Sequence, residues 1–120
     1  MNQQEFHQVL DSLPAAAYIC DPQGLITYYN HQAALLWERE PKLNDPLDRF
    51  CGSFKLFSAD GASIAHSQCW MALALQTGQQ YNQQEIIVER PDGKRLNVLA
   101  HANPIRDEAG KLLELVSKPA

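Results

Sequence analysis

His66 and Cys69 stand three residues apart in "HSQCWMA", and a second thiol, Cys51, lies fifteen residues upstream in "RFCGSFKLF". Imidazoles and thiolates bind zinc tetrahedrally, and Cys20 or His101 would have to complete such a set. The spacing fits no finger or ribbon, and free cysteines are frequently small buried hydrophobes. A reactive thiol is the second chemistry. A helix beginning near Ser67 would put Cys69 in its first turn, where the helix dipole and a protonated His66 lower a thiol pKa. The packing alternative buries Cys69 beside Ala72 and Leu73, inert. Hydrolysis lacks its signatures. No serine has a G-x-S-x-G context, no phosphate loop is present, and the carboxylates lie in turns or beside basic residues. The chain is expected not to be an enzyme.

A third use of the same residues is a small-molecule pocket, apolar with a few polar groups. Its lining would come from Phe54, Leu56, His66, Cys69 and Leu73, with Val88 from a facing strand. The strand 95–103 adds either its Val98 and Ala100 side or its Leu99 and His101 side. The alternative is that these side chains simply fill the core.

The elements that must position them follow from the pattern of the chain. At 120 residues, it fits one domain with a core of its own. A net charge of −4, with no basic run interleaved with aromatics, argues against direct nucleic-acid binding. Apolar stretches are too short to span a bilayer, and the polar N-terminus is no signal peptide. Three irregularly spaced cysteines are no disulfide framework, so a cytoplasmic chain with reduced thiols is expected.

Phe6, Val9, Leu10 and Leu13 form an i, i+3, i+4, i+7 stripe that predicts a helix over Gln4–Leu13, ended by Pro14. "AAAYIC" and "LITYY" flank "DPQG", a hairpin with Asp21 and Gly24 supplying the turn. Asn30 caps a second helix, "HQAALLWERE", stopped by Pro41. Residues 42–67 read as loose, with room for a helical turn in "KLNDPLDRF" and a short strand in "SFKLFSADGAS". A helix then runs from Ser67 to Gly78. "QQEIIVER", "RLNVLAHANPI" and "KLLELVS" read as three antiparallel strands. The sum is an α+β fold: a five-stranded antiparallel sheet with helices on one face, preceded by the amphipathic helix of residues 1–14.

"ICDPQGLITYYNHQAALLW" resembles the opening of a PAS domain, through Asp21, Gly24, Ile26 and Asn30 followed by Ala33 and Ala34. "VERPDGKRLNVLAHANPIRDEAGKLL" is similar to that family's paired strands, including the segment Pro104–Gly110 with Asp107 and Gly110. The resemblance makes residues 15–120 a single PAS domain and implies a sensory or regulatory module. Such a module is covalently attached to an output domain in a histidine kinase, cyclic-dinucleotide enzyme or transcription regulator, and binds a small molecule or partner. It also implies a homodimer through the N-terminal stripe of Phe6, Val9, Leu10 and Leu13. Two alternatives accompany this reading: a ligand-free homodimerisation module, and a thiol or metal sensor using Cys51, His66 and Cys69. Haem sensors of the family take a proximal His from the helix facing the sheet, which His66, in the preceding loop, matches poorly. Its flavin photosensors share an Asn-Cys-Arg-Phe-Leu segment, whereas Cys51 stands between Phe50 and Gly52. Haem, flavin and zinc are therefore not required by the sequence.

Overall fold

Asn30 shows how the first third of the chain is tied together. Its amide is buried, and all of its hydrogen-bonding capacity is directed inward. Oδ1 accepts from Ala33 N at 2.9 Å, capping the helix that follows, and from Ala17 N at 3.0 Å. Nδ2 donates to Leu10 O at 2.8 Å and Ala15 O at 3.0 Å. One side chain thus joins two helices to a strand.

The computed structural model describes residues 2–105 and 111–117. In chain order the elements are α1 (Gln3–Ser12), β1 (Ala16–Cys20), β2 (Ile26–Tyr29), α2 (His31–Trp37), β3 (Lys55–Phe57), β4 (Ser63–Ile64), α3 (Trp70–Thr77), β5 (Tyr81–Glu89), β6 (Arg95–Pro104) and β7 (Leu112–Ser117). The strands form one antiparallel sheet in the order β2-β1-β7-β6-β5-β3-β4. Seven strands among the described residues correct the expected five. The loose segment supplies the other two, because Leu56 pairs with both Val88 of β5 and Ile64 of β4. No sustained alternation marks strands of three and two residues.

The sheet is covered on both sides. Its inner face carries Tyr18, Cys20, Val88, Val98, Ala100, Ala102, Leu112 and Val116, packed under Trp37 of α2 and Met71, Ala72 and Ala74 of α3. The outer face carries Ala17 and Ile19 with Leu113 and Leu115, and α1 lies on it through Leu10, Phe6 and Leu13. The Asp21–Gly24 turn closes with Gly24 N donating to Asp21 O at 2.9 Å, and Asp21 Oδ1 accepts from Gln23 N and Leu25 N. Asp107 and Gly110 lie outside the described residues.

α3 begins later than its sequence signal. Ser67 is not its N-cap. His66–Gln68 form a 3-10 turn, and Cys69, in extended backbone, is the N-cap residue with no side-chain cap bond. The Gln68 side chain accounts for this shift: its Oε1 accepts from Ala65 N at 3.0 Å and closes the turn from the C-terminal side. Gly78 ends α3 in the left-handed conformation (φ 70°), as its position predicts.

Candidate functional site

Tyr18 on β1 and Glu114 on β7 are directly paired in the sheet, so both side chains project from the same, inner face. Glu114 is 4% exposed, and its Oε2 is hydrogen-bonded to the Tyr18 hydroxyl. The same hydroxyl lies 2.7 Å from the carbonyl oxygen of Phe50. Three thiols complete the surroundings: Cys20 from β1, Cys51 from the segment before β3, and Cys69 from the N-cap of α3, all buried and free. Burial pushes the Glu114 carboxyl up to about 7, with the Tyr18 hydrogen bond pulling the other way. Burial, and then the neighbouring carboxyl, pushes the Cys51 thiol up to about 11. Cys69 is raised well above its ordinary value by burial first and then by Cys51 and Glu114. Of the two readings of Cys69, this burial favours the inert, packed one, since desolvation outweighs the helix terminus.

Segment 49–54 forms the outer edge of this cluster. Phe50 adopts φ 70°, a region that costs a non-glycine residue about 1–2 kcal/mol. It is held by its N–H donating to Gly24 O at 2.8 Å and by its ring lying over Gly24, where a Cβ would come within 2.3 Å of the ring. Gly24 itself has φ +85°, so glycine is required there twice over. Gly52 is needed for space alone, since a Cβ would lie 2.3 Å from the Trp37 ring.

A cleft of about 320 Å³ opens between this segment and the 3-10 turn before α3. Phe50, Cys51, Ser53 and His66 line it, with Arg39, Asp48 and Arg49 on the polar side and Leu47 and Phe54 at the apolar lip. Ser53 Oγ bridges the site, 3.2 Å from Cys51 Sγ and 3.3 Å from His66 Nε2. His66 Nε2 also lies 2.9 Å from Ser53 O, which can only accept, so this nitrogen carries the hydrogen. Both cations are engaged. Arg39 donates to Gly52 O at 2.6 Å and pairs with Asp48 at 3.0 Å, while Arg49 donates to Gln23 O. The Arg39 pair and the Lys42 backbone N–H hold the Asp48 carboxyl below its ordinary value, against an opposing burial effect that is the largest single influence.

The residues predicted from sequence divide between two places. Cys51, His66 and Phe54 line the cleft, Phe54 being 45% exposed. Leu56, Cys69, Val88 and Val98 belong to the inner core behind it, and Leu73 is half-buried on α3. On β6, Val98 and Ala100 face the inner core and do not line this cleft. Leu99 and His101 point to the opposite face, where His101 Nδ1 accepts from Gln83 N at 3.1 Å and Nε2 lies 3.1 Å from Ser117 Oγ. That ring satisfies a β5 irregularity at Gln83, whose φ is 56°. Cys51 and His66 meet through Ser53, but among the described residues no three His, Cys, Asp or Glu side chains converge as metal ligands. Of the N-terminal stripe, Phe6, Leu10 and Leu13 pack on the chain's own sheet, and Val9 remains 42% exposed.

Sequence reasoning missed Tyr18 and Glu114. One signal was available: in "LLELVS" the inward positions are Leu112, Glu114 and Val116, so a carboxylate interrupts an apolar face. Leu113 and Leu115 are apolar as well, because α1 covers the outer side, and this erased the alternation that would have marked Glu114 as inward.

The family described as the PAS fold matches residues 10–117. Among curated proteins none matches. Among solved structures, the PAS domain of nitrogen regulation protein NR(II) from Vibrio parahaemolyticus is 20% identical with a TM-score of 0.64, covering 99% of this chain and 100% of that one. A domain of the sensory box sensor histidine kinase/response regulator from Geobacter sulfurreducens is 18% identical, with a TM-score of 0.66 and coverage of 96% and 92%. The LOV protein of Rhodobacter sphaeroides is 13% identical, with a TM-score of 0.69 over 98% of this chain and 67% of that one. At such identities the likeness is one of fold. No helix among the described residues is long and apolar enough to cross a membrane.

Proposed function

The chain belongs to the PAS family, and from that premise we propose that it is the non-catalytic sensory module of a bacterial cytoplasmic signalling protein. It binds a small molecule in the cleft between segment 49–54 and the turn before α3, and relays occupancy to a covalently attached output domain. The observation that carries this reading is continuity: the cleft's wall residue Phe50 is hydrogen-bonded to Tyr18 on β1, and Tyr18 to Glu114 on β7. A ligand that moves segment 49–54 therefore acts on the adjacent strands β1 and β7. Such a ligand shifts a conformational population only by the difference in its affinity for the two states. The PAS domain of NR(II) and the histidine kinase domain lend support as signalling proteins of the same fold.

Native mass spectrometry and an absorption spectrum of the purified chain, followed by thermal denaturation against a panel of small polar metabolites, test the reading. A retained or added compound is expected to stabilise the chain by roughly 2–3 kcal/mol at a hundredfold excess over Kd. His66→Ala, which removes a cleft wall, should abolish that gain. No retained mass and no stabilising compound would leave the module without a ligand and favour a protein-interaction role. The same spectrum reports whether the chain pairs with itself, as the homodimer expectation requires.

A further inference from the structure

A phenol has one hydrogen, yet the Tyr18 hydroxyl faces two acceptors. Phe50 contributes a carbonyl oxygen, which cannot donate, and Glu114 contributes a carboxyl oxygen. Both contacts are hydrogen bonds together only when the carboxyl carries a proton and donates it to the phenol oxygen. Tyr18 then gives its own hydrogen to Phe50. If the carboxyl is ionised, it takes the Tyr18 hydrogen, and the Phe50 carbonyl keeps only the weak Cys20 thiol at 4.0 Å.

We propose that Glu114 is a proton-binding site of this chain, whose protonation latches Phe50 and whose deprotonation releases it, changing the wall of the cleft. On deprotonation the proton passes to a buffer base or water, and the only other changes are in hydrogen bonds. Release has a mechanical consequence because Phe50 is held in a left-handed conformation, which persists only while its surroundings enforce it. Its surroundings include the bond from its N–H to Gly24 O, the ring against Gly24, and the bond from Tyr18, besides the Arg49 guanidinium over the ring and the weak Cys20 thiol contact. Glu114 controls the bond from Tyr18.

The groups facing Glu114 leave it as the one that changes charge near neutrality. β1 presents Tyr18 and Cys20, segment 49–54 presents Cys51, and the start of α3 presents Cys69. All are neutral groups whose pKa values burial raises further. β6 presents Ala102 opposite Glu114, and β7 itself presents Leu112 and Val116. None of the salt bridges among the described residues includes Glu114. Burial without a cation places the carboxyl's titration at about 7, within the range a cell traverses. The device does not depend on a ligand entering the cleft, so it stands apart from the reading above.

Two measurements on the full chain test it. The Glu114 side-chain carboxyl carbon, followed by 13C NMR from about pH 5 to about pH 9, should titrate with a midpoint between about 6 and 8. Amide hydrogen exchange at residues 50–53, corrected for its intrinsic pH dependence, should accelerate about tenfold across the same midpoint. Glu114→Gln retains an N–H to give to the phenol, so its exchange at 50–53 should stay slow throughout. Tyr18→Phe removes the relay, and exchange there should be fast at every pH. A carboxyl midpoint below about 5 would overturn the proposal. So would an identical pH response of residues 50–53 in the wild type and Glu114→Gln. Should either variant fail to fold, the wild type alone decides, since the two midpoints must coincide.

Discussion

At the scale of the residue, the strongest constraints are single side chains that bond in several directions at once. Asn30 is the clearest, because its two acceptances and two donations are all to backbone groups. Asn30→Ala removes a helix cap, worth about 1 kcal/mol, and leaves further backbone groups of Leu10, Ala15 and Ala17 without this partner. We expect a loss of about 3–5 kcal/mol in urea denaturation. Asn30→Asp separates the two halves of the role. A carboxylate keeps both acceptances but turns two donations into repulsion with Leu10 O and Ala15 O. It should cost at least about 2 kcal/mol at neutral pH and less in acid, where a protonated oxygen can donate. An Asp variant as stable as wild type would show that the cap alone matters. Gly52 makes a different demand, for space. Gly52→Ala should destabilise by about 1–3 kcal/mol, since the Trp37 ring must shift to admit the new methyl.

At the scale of the element, α1 is defined by what it covers. Leu10 is 2% exposed against Ala17 and Ile19, so its stripe is used within the chain. Leu10→Ala is accordingly expected to cost about 2–4 kcal/mol in unfolding free energy. A variant with unchanged unfolding but an altered sedimentation coefficient would instead assign the stripe to a dimer interface. The elements differ in how plainly the sequence announced them. α1, the β1–β2 hairpin, α2 and the three long strands were legible because stripes, turn residues and an N-cap coincide at each. β3 and β4 were not, since Leu56 and Ile64 become strand residues only through their neighbours in the sheet. The site was legible in part. Cys51 and His66 stood out by residue type, but the Ser53 bridge between them depends on how segment 49–54 folds back. Tyr18 and Glu114 are 96 positions apart, and their contact is a product of register between β1 and β7. A sequence with apolar residues on both faces of β7 does not display that register.

At the scale of the whole molecule, the buried acid and thiols set how stability responds to pH. An unfolded glutamate ionises near its ordinary value, whereas folded Glu114 holds its proton to about 7. Between these values the folded chain binds more protons than the unfolded one, so stability falls as pH rises. Its contribution is fully present below the unfolded pKa and lost as pH climbs to the folded one. The window spans roughly 2–3 pH units at about 1.4 kcal/mol each, which makes a loss of about 3 kcal/mol. The Cys20, Cys51 and Cys69 thiols, all raised, add a second decline above about pH 8.5, where the unfolded thiols ionise first. Asp48 acts in the opposite sense. Its lowered carboxyl stabilises the fold above the unfolded pKa, and that stability is lost as acid protonates it. Below about pH 8, where the thiols have not begun to ionise, subtracting the denaturation profile of Glu114→Gln from that of the wild type isolates the first term, because Asp48 is common to both. The difference should be flat below about pH 4, move against the wild type by about 3 kcal/mol up to about pH 7, and level off from there to about pH 8. A difference that is constant across this range would mean that Glu114 ionises as readily in the folded chain as in the unfolded one. The buried Tyr18–Glu114 pair would then have to be held by a charge compensation that its neutral surroundings do not supply.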